Sequence, residues 1–209
     1  MTSEQPACHK CELSLISHLF CFNCKKLQPF DDQIGLFEVM GIPIDYEINS
    51  EQLEEYYQRL SLELHPDFFE VAPKEEKRLS EKASVILNTA YNTLREPSSR
   101  AGYLLCLFTN DHKQNERSLP EGFLQEMFFL QESLDELLES SDSITLEKMK
   151  EELGTRHKEI EFSYAPLFKK FKEFPGNFNI LQQLQTHLNA ERYLRRLLER
   201  IPSADHILT

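Results

Sequence analysis

Apolar residues recur at helical spacing through most of the chain, with polar residues filling the intervals. Leu53, Tyr57, Leu60 and Leu64 lie four, three and four residues apart, one stripe of a helix resting on a core. Asn49 or Ser50 can cap that helix, and Glu51, Glu54 and Glu55 crowd its first turn, where the macrodipole favours carboxylates. Pro66 ends it: the ring fixes φ and supplies no N–H, so the helix is predicted to stop at Leu64 or His65. A second stripe, Leu79, Ala83, Ile86, Leu87, Ala90, Tyr91 and Leu94, follows a Lys/Glu-rich opening from Pro73. Ahead of the pair, a short segment over residues 34–40 ends at Gly41 and Pro43. Behind it, Pro97 stops the second long helix, and Ser98 or Ser99 can cap another through Tyr103, Leu104, Leu105 and Leu107. Cys106 reads there as a buried apolar filler. Residues 31–108 therefore read as a helical hairpin crossed by shorter helices, with His65-Pro66-Asp67 at its tip. Alone, that tripeptide is ordinary helix-stop and turn chemistry.

Residues 109–118 are polar and read as a linker. Beyond Pro120, helices are predicted at about 120–140, 144–165 and 177–200, separated by Ser141-Asp142-Ser143 and Pro175-Gly176-Asn177, with Pro166 breaking or kinking the second. Short connections make residues 119–209 an antiparallel three-helix bundle. On its first helix, Phe123, Met127, Leu130, Leu134, Leu137 and Leu138 form the core stripe. Leu124 and Phe128 lie well round from that stripe and Phe129 lies on its other flank, with Gln125, Glu132 and Glu136 among them. Two readings remain: a solvent-facing partner patch bordered by carboxylates, or a wider buried stripe under the neighbouring domain. On the last helix, Ile180, Leu184, Leu188, Leu194 and Leu198 form the core side and Tyr193 points away from it.

Composition narrows the class. The chain has 209 residues, 40% hydrophobic and 28% charged, enough to build a core in one large domain or two small ones. Six Gly argue against a turn-rich β-sandwich or a phosphate-cradling loop. A net charge of -12 disfavours nucleic acid and anionic membrane, and no apolar run is long enough to span a bilayer. Residues 1–10 have neither a signal-peptide core nor a transit-peptide composition, so a cytoplasmic protein is expected. No Ser/His/Asp set, P-loop or open metal site suggests an enzyme.

Cys8, Cys11, Cys21 and Cys24 form two C-x-x-C knuckles within residues 1–28. Such paired knuckles in a reducing compartment point to one four-sulfur ion, zinc before iron, closed and structural because no coordination position stays open. Leu13, Leu15, Ile16, Leu19 and Phe20 suggest a hairpin around the metal. The spacer is shorter than usual, and Glu12 and Lys25 stand where Gly often eases the knuckle turn. A redox dithiol and metal-free thiols are the competing readings, and His9 and His18 are either alternative ligands or solvated neighbours.

His65-Pro66-Asp67 between two amphipathic helices resembles the J-domains by which co-chaperones stimulate DnaK-type chaperones. Leu36-Phe37, Tyr57, Phe68-Phe69, the run Asn88-Thr89-Ala90-Tyr91-Asn92-Thr93-Leu94 and the stretch Pro97-Ser98-Ser99-Arg100-Ala101-Gly102-Tyr103-Leu104-Leu105 narrow the resemblance. Together they are similar to the HscB family of iron–sulfur-cluster co-chaperones, and with the cysteine knuckles to its zinc-bearing members. The resemblance spans nearly the whole chain. It implies an all-α protein in which His65, Pro66 and Asp67 engage a DnaK/HscA-type chaperone and trigger its ATPase. It implies that Leu124, Gln125, Phe128, Phe129, Glu132, Glu136 and Tyr193 hold the scaffold protein IscU, and that Cys8, Cys11, Cys21 and Cys24 hold zinc. It leaves room for a weak homodimer and for a processed mitochondrial matrix form. A general protein-folding J-protein and a metal or redox protein are the alternatives. One departure concerns charge: J-domains usually present a basic second helix, whereas residues 50–64 set Glu51, Glu54, Glu55 and Glu63 against Arg59. Lys74, Lys77, Arg78 and Lys82 either compensate or are solvated surface charges, and Phe68 stands where a basic residue is frequent.

Overall fold

The structure, a computed structural model, describes residues 6–109, 118–140 and 142–202. Residues 1–5, most of the predicted linker (110–117) and Ser141 lie outside the described residues. The chain divides into two compact units, Met1–Arg100 and Ala101–Thr209.

The first unit opens with β1 (Phe20–Cys21) and β2 (Lys26–Leu27), antiparallel with Phe20 opposite Leu27 and Cys21 opposite Lys26. Isolated bridges join Ala7 to Ser14 and Ser17 to Phe20. The predicted single hairpin between the knuckles is thus replaced by two short ladders, one closing each knuckle. Leu15, Leu19 and Phe20 are buried, while Leu13 and Ile16 are exposed. The helices follow as α1 (Leu36–Met40), α2 (Ser50–Glu63), a 3-10 turn over Pro66–Phe69 and α3 (Lys74–Arg95).

Local chemistry sets these boundaries. The Asn49 side chain accepts from Gln52 N–H at 3.0 Å and caps α2, and Leu64 closes it with its N–H on the Leu60 carbonyl. Gly41 ends α1 at φ 66, and a Cβ there would overlap the Ile16 carbonyl oxygen, so the close pass of the cysteine segment requires glycine. Leu53, Leu60 and Leu64 are buried, as are Ala83, Leu87, Ala90 and Leu94 on α3, and the two helices lie against each other. Tyr57 and Tyr91 leave that core and stack on each other at its rim, ring centroids 3.9 Å apart. The helix α4 (Pro97–Thr109) begins at Pro97 itself, where the missing N–H costs nothing. Neither Ser98 nor Ser99 is therefore its cap, and Ser98 is buried inside the first turn. Cys106 is half-buried rather than a core filler.

The second unit is built from the rest of α4, α5 (Phe123–Ser140), α6 (Ser143–Glu173) and α7 (Phe178–Arg200). Asp142 caps α6, accepting from the Thr145 N–H at 3.1 Å and its hydroxyl at 2.6 Å. These two donors hold the Asp142 carboxyl below its usual range. Pro166 does not end α6, which continues to Glu173. Leu167, Phe168 and Phe171 beyond it are buried, and Phe171 stacks on Phe108 at 4.9 Å, so packing outweighs the lost hydrogen bond. The core joins Phe123, Met127 and Leu134 to Leu146, Leu153, Ala190, Leu194 and Leu197, while Leu130, Leu137, Leu138 and Leu198 are only partly buried. The fold is all-α with a minor two-stranded sheet. No helix among the described residues is long and apolar enough to cross a membrane.

Candidate functional site

His65 caps the 3-10 turn that carries the tripeptide. Its Nδ1 accepts from the Asp67 N–H at 3.3 Å, its ring stands 3.6 Å from the Asp67 carboxylate, and Pro66 opens the turn. Both polar side chains face solvent, His65 at 55% and Asp67 at 77% exposure. The base of the turn is fixed. Leu64 is fully buried, and its carbonyl accepts the Ser80 hydroxyl at 2.7 Å and the Ser84 hydroxyl at 3.0 Å. Sequence reading missed these two serines, although 80, 83, 84 and 87 share one helix face and the spacing carried the signal. Leu62 ahead of the turn and Phe68 within it expose apolar surface.

Several charges near this hairpin are engaged internally. Glu54 accepts from the Tyr91 hydroxyl and from Gln58, and the Tyr91 bond first of all keeps its carboxyl below the usual range. Glu63 pairs with Lys25, Arg59 lies over the Phe22 ring at 4.5 Å, and Lys82 pairs with Asp32 at 2.8 Å. Lys82 is thus paired within the unit at an exposed site.

The four knuckle cysteines converge. All four sulfurs lie within 4.8 Å of one another, with Cys8 and Cys24 Sγ 3.5 Å apart and Cys11 and Cys21 Sγ 3.6 Å apart. A tetrahedral ion with metal–sulfur bonds of about 2.3 Å needs sulfurs about 3.8 Å apart, so the set fits one ion. Burial would raise the Cys8 thiol, but N–H donors from Cys11 and Lys10 and the Cys24 and Cys11 thiols draw it down to about 6. Burial and bonding to the Cys8, Cys21 and Cys11 thiols push Cys24 up to about 12, so the set shares its protons unevenly, and a cation at its centre would favour the thiolate form of all four. His9 is not in the set: its N–H and Nδ1 both meet the buried Gln28 side chain, at 3.1 and 2.9 Å. Among the described residues no group containing His18 gathers in this way. Glu12 and Lys25 take left-handed backbone at φ 61 and 55, the two positions where glycine was missing.

On α5, Leu124, Phe128 and Phe129 are 56%, 60% and 65% exposed, with the two Phe rings edge to face at 6.2 Å. Gln125, Glu132 and Glu136 are exposed among them. Tyr193 differs from expectation: it is half-buried, its ring edge-on to Phe123 at 6.0 Å, because α7 turns it against the start of α5.

Comparison with known proteins places this geometry. The DnaJ domain family matches residues 35–103. The iron-sulfur cluster co-chaperone protein HscB of Mus musculus is 28% identical over 208 residues, covering 95% of this chain and 82% of that protein. The iron-sulfur cluster co-chaperone protein HscB homolog of Arabidopsis thaliana is 28% identical over 180 residues, covering 86% of this chain and 70% of that protein. The crystal structure of human co-chaperone protein HscB superposes with a TM-score of 0.75 at 26% identity, covering 94% of this chain and 96% of that one. With a DnaJ domain around His65-Pro66-Asp67 and likeness to HscB proteins along nearly its whole length, the chain is similar to the HscB-type J-domain co-chaperones.

Proposed function

We propose that the chain carries an IscU-type iron–sulfur scaffold to a DnaK/HscA-type chaperone and stimulates the chaperone's ATPase. In this reading Asp67 accepts a charge-assisted hydrogen bond from a chaperone Arg, Pro66 holds the turn, and His65 fixes it through the Asp67 N–H. Leu124 and Phe128 fill apolar pockets on the scaffold, with Phe129 beside them. Gln125, Glu132 and Glu136 set orientation, and Tyr193 supports the face from α7. Holding both partners raises the effective concentration of scaffold at the chaperone, which needs no covalent chemistry from this chain. ATP hydrolysis then favours cluster release from the scaffold.

Cys8, Cys11, Cys21 and Cys24 hold one zinc ion in this reading, and the ion supplies a closed structural cross-link rather than a reaction site. The net charge of -12 suits an aqueous compartment, cytoplasm or mitochondrial matrix. A weak homodimer is compatible with the exposed apolar groups.

The observation that carries the scaffold assignment is the exposed trio Leu124, Phe128 and Phe129 on a helix whose opposite face is buried. Calorimetric titration of the scaffold tests it. Leu124→Ala/Phe128→Ala is expected to bind about thirtyfold or more weakly, with thermal stability kept, since truncating central apolar anchors costs about 1–2 kcal/mol each. Unchanged affinity would leave a J-protein with other clients.

A further inference from the structure

The second knuckle reaches past its cysteines to the two helices that frame His65-Pro66-Asp67. Lys25 pairs with Glu63, the last residue of α2 and two positions before His65. Lys26 lies 3.6 Å from Glu76 in the first turn of α3. Between them, Phe22 carries the Arg59 guanidinium at 4.5 Å and the Lys25 ammonium at 5.7 Å. One knuckle therefore touches both helix ends between which the chaperone-contact turn is strung.

The magnitudes divide the labour. Both ion pairs are partly exposed, Lys25 at 60% and Lys26 at 43%, and such pairs contribute little to global stability. The seat beneath is stronger. Leu19, Phe20 and Leu27 are buried, and Ser17 donates its hydroxyl to the Val39 carbonyl at 2.7 Å in a buried bond. Apolar burial thus fixes where the module sits, and the lysines fix how the flanking helix ends are held. Lys25 keeps left-handed backbone at φ 55. Glycine would relieve that strain but would bring no ammonium to Glu63.

We propose that the four-cysteine module is a strut for the His65-Pro66-Asp67 turn, with Lys25 and Lys26 as positioning residues that pin its two helix ends through Glu63 and Glu76. The role of the turn in chaperone contact rests on the reading above; the mechanical coupling does not. Loss of the bound metal releases the second knuckle and slackens both ends of the turn together.

Hydrogen exchange over residues 63–76 of the full-length, metal-loaded chain tests the strut without any chaperone. In Lys25→Glu/Lys26→Glu these amides are expected to exchange about fivefold faster than in the wild type, relative to amides in the middle of α3. Adding Glu63→Lys and Glu76→Lys is expected to restore protection, and the difference is expected to shrink in about 0.5 M salt, as screened charges require. Metal content stays the same in all three forms. Chelation of the wild-type metal is expected to speed the same amides at least as much. Unchanged exchange in the double variant or after chelation, or no restoration by the charge swap, overturns the proposal. In ATPase titrations the double variant is expected to need about fivefold more protein for half-maximal stimulation, with the maximal rate kept. If His65→Gln leaves stimulation intact while the exchange results hold, the chaperone reading fails and the strut stands.

Discussion

His187 illustrates what a single residue contributes to the bundle. The Ser163 hydroxyl donates to the Ile160 carbonyl, so its oxygen accepts from His187 Nδ1–H at 2.6 Å. Burial pushes the imidazole below its ordinary 6.5. The unfolded chain therefore binds a proton that the folded chain resists, and stability from this group is present above pH 6.5. It falls as pH drops from there toward the depressed folded pKa, and levels off below it. Thermal melts between about pH 7.5 and 5 are expected to show this loss in the wild type and a flatter profile in His187→Gln. Parallel profiles would remove the assignment. None of this was legible in the sequence, because His187 sits on a polar interval of α7 and its burial comes from α6. The tripeptide was legible, since Pro66 acts on its own neighbours. Ser80 and Ser84 were not read, because a hydroxyl inside an apolar stripe declares its acceptor only once Leu64 is in place. Tyr193 was read as pointing away from the core for the same reason: helical phase places a residue on its own helix and says nothing of the ring of Phe123 waiting opposite.

At the scale of elements, local chemistry explains why most helix ends were readable. Asn49, Gly41 and Asp142 each close a helix with a group carried within three residues of its end. The break at Pro166 was misread because its effect is not local: burial of Phe168 and Phe171 decides whether α6 continues. The knuckle ladders were misread because strands of two residues have no alternation to detect. The strain at Glu12, by contrast, was visible as a missing glycine. Glu12→Gly removes an exposed left-handed non-glycine residue without removing a cysteine. The module is expected to gain about 1 kcal/mol and to hold its metal longer against a competing chelator. Equal or faster metal loss would show that the knuckle backbone is unstrained at that position. The same exchange at Lys25 also deletes its contacts with Glu63 and Phe22, so no such gain is expected there.

For the whole molecule, the two candidate surfaces belong to different compact units. The His65-Pro66-Asp67 turn is in Met1–Arg100 and the α5 apolar face in Ala101–Thr209. That division suits an adaptor, since either surface can be altered without disturbing the packing of the other unit. Helical periodicity showed both units, and the acidic count on α2 needs one adjustment in the first. Lys25 offsets the charge of Glu63, whereas the Tyr91 hydroxyl leaves Glu54 ionised, so the face a partner meets is less acidic than the helix sequence by the one paired charge. The most direct measurement is the steady-state ATPase rate of a DnaK-type chaperone titrated with the wild-type chain and with His65→Gln. The exposed imidazole makes few contacts within the fold, so the variant is expected to keep its melting behaviour and its scaffold affinity. The wild type is expected to raise the chaperone's rate several-fold, and His65→Gln to leave it at the basal level. Equal stimulation by the two proteins would contradict the assignment of the turn as the trigger.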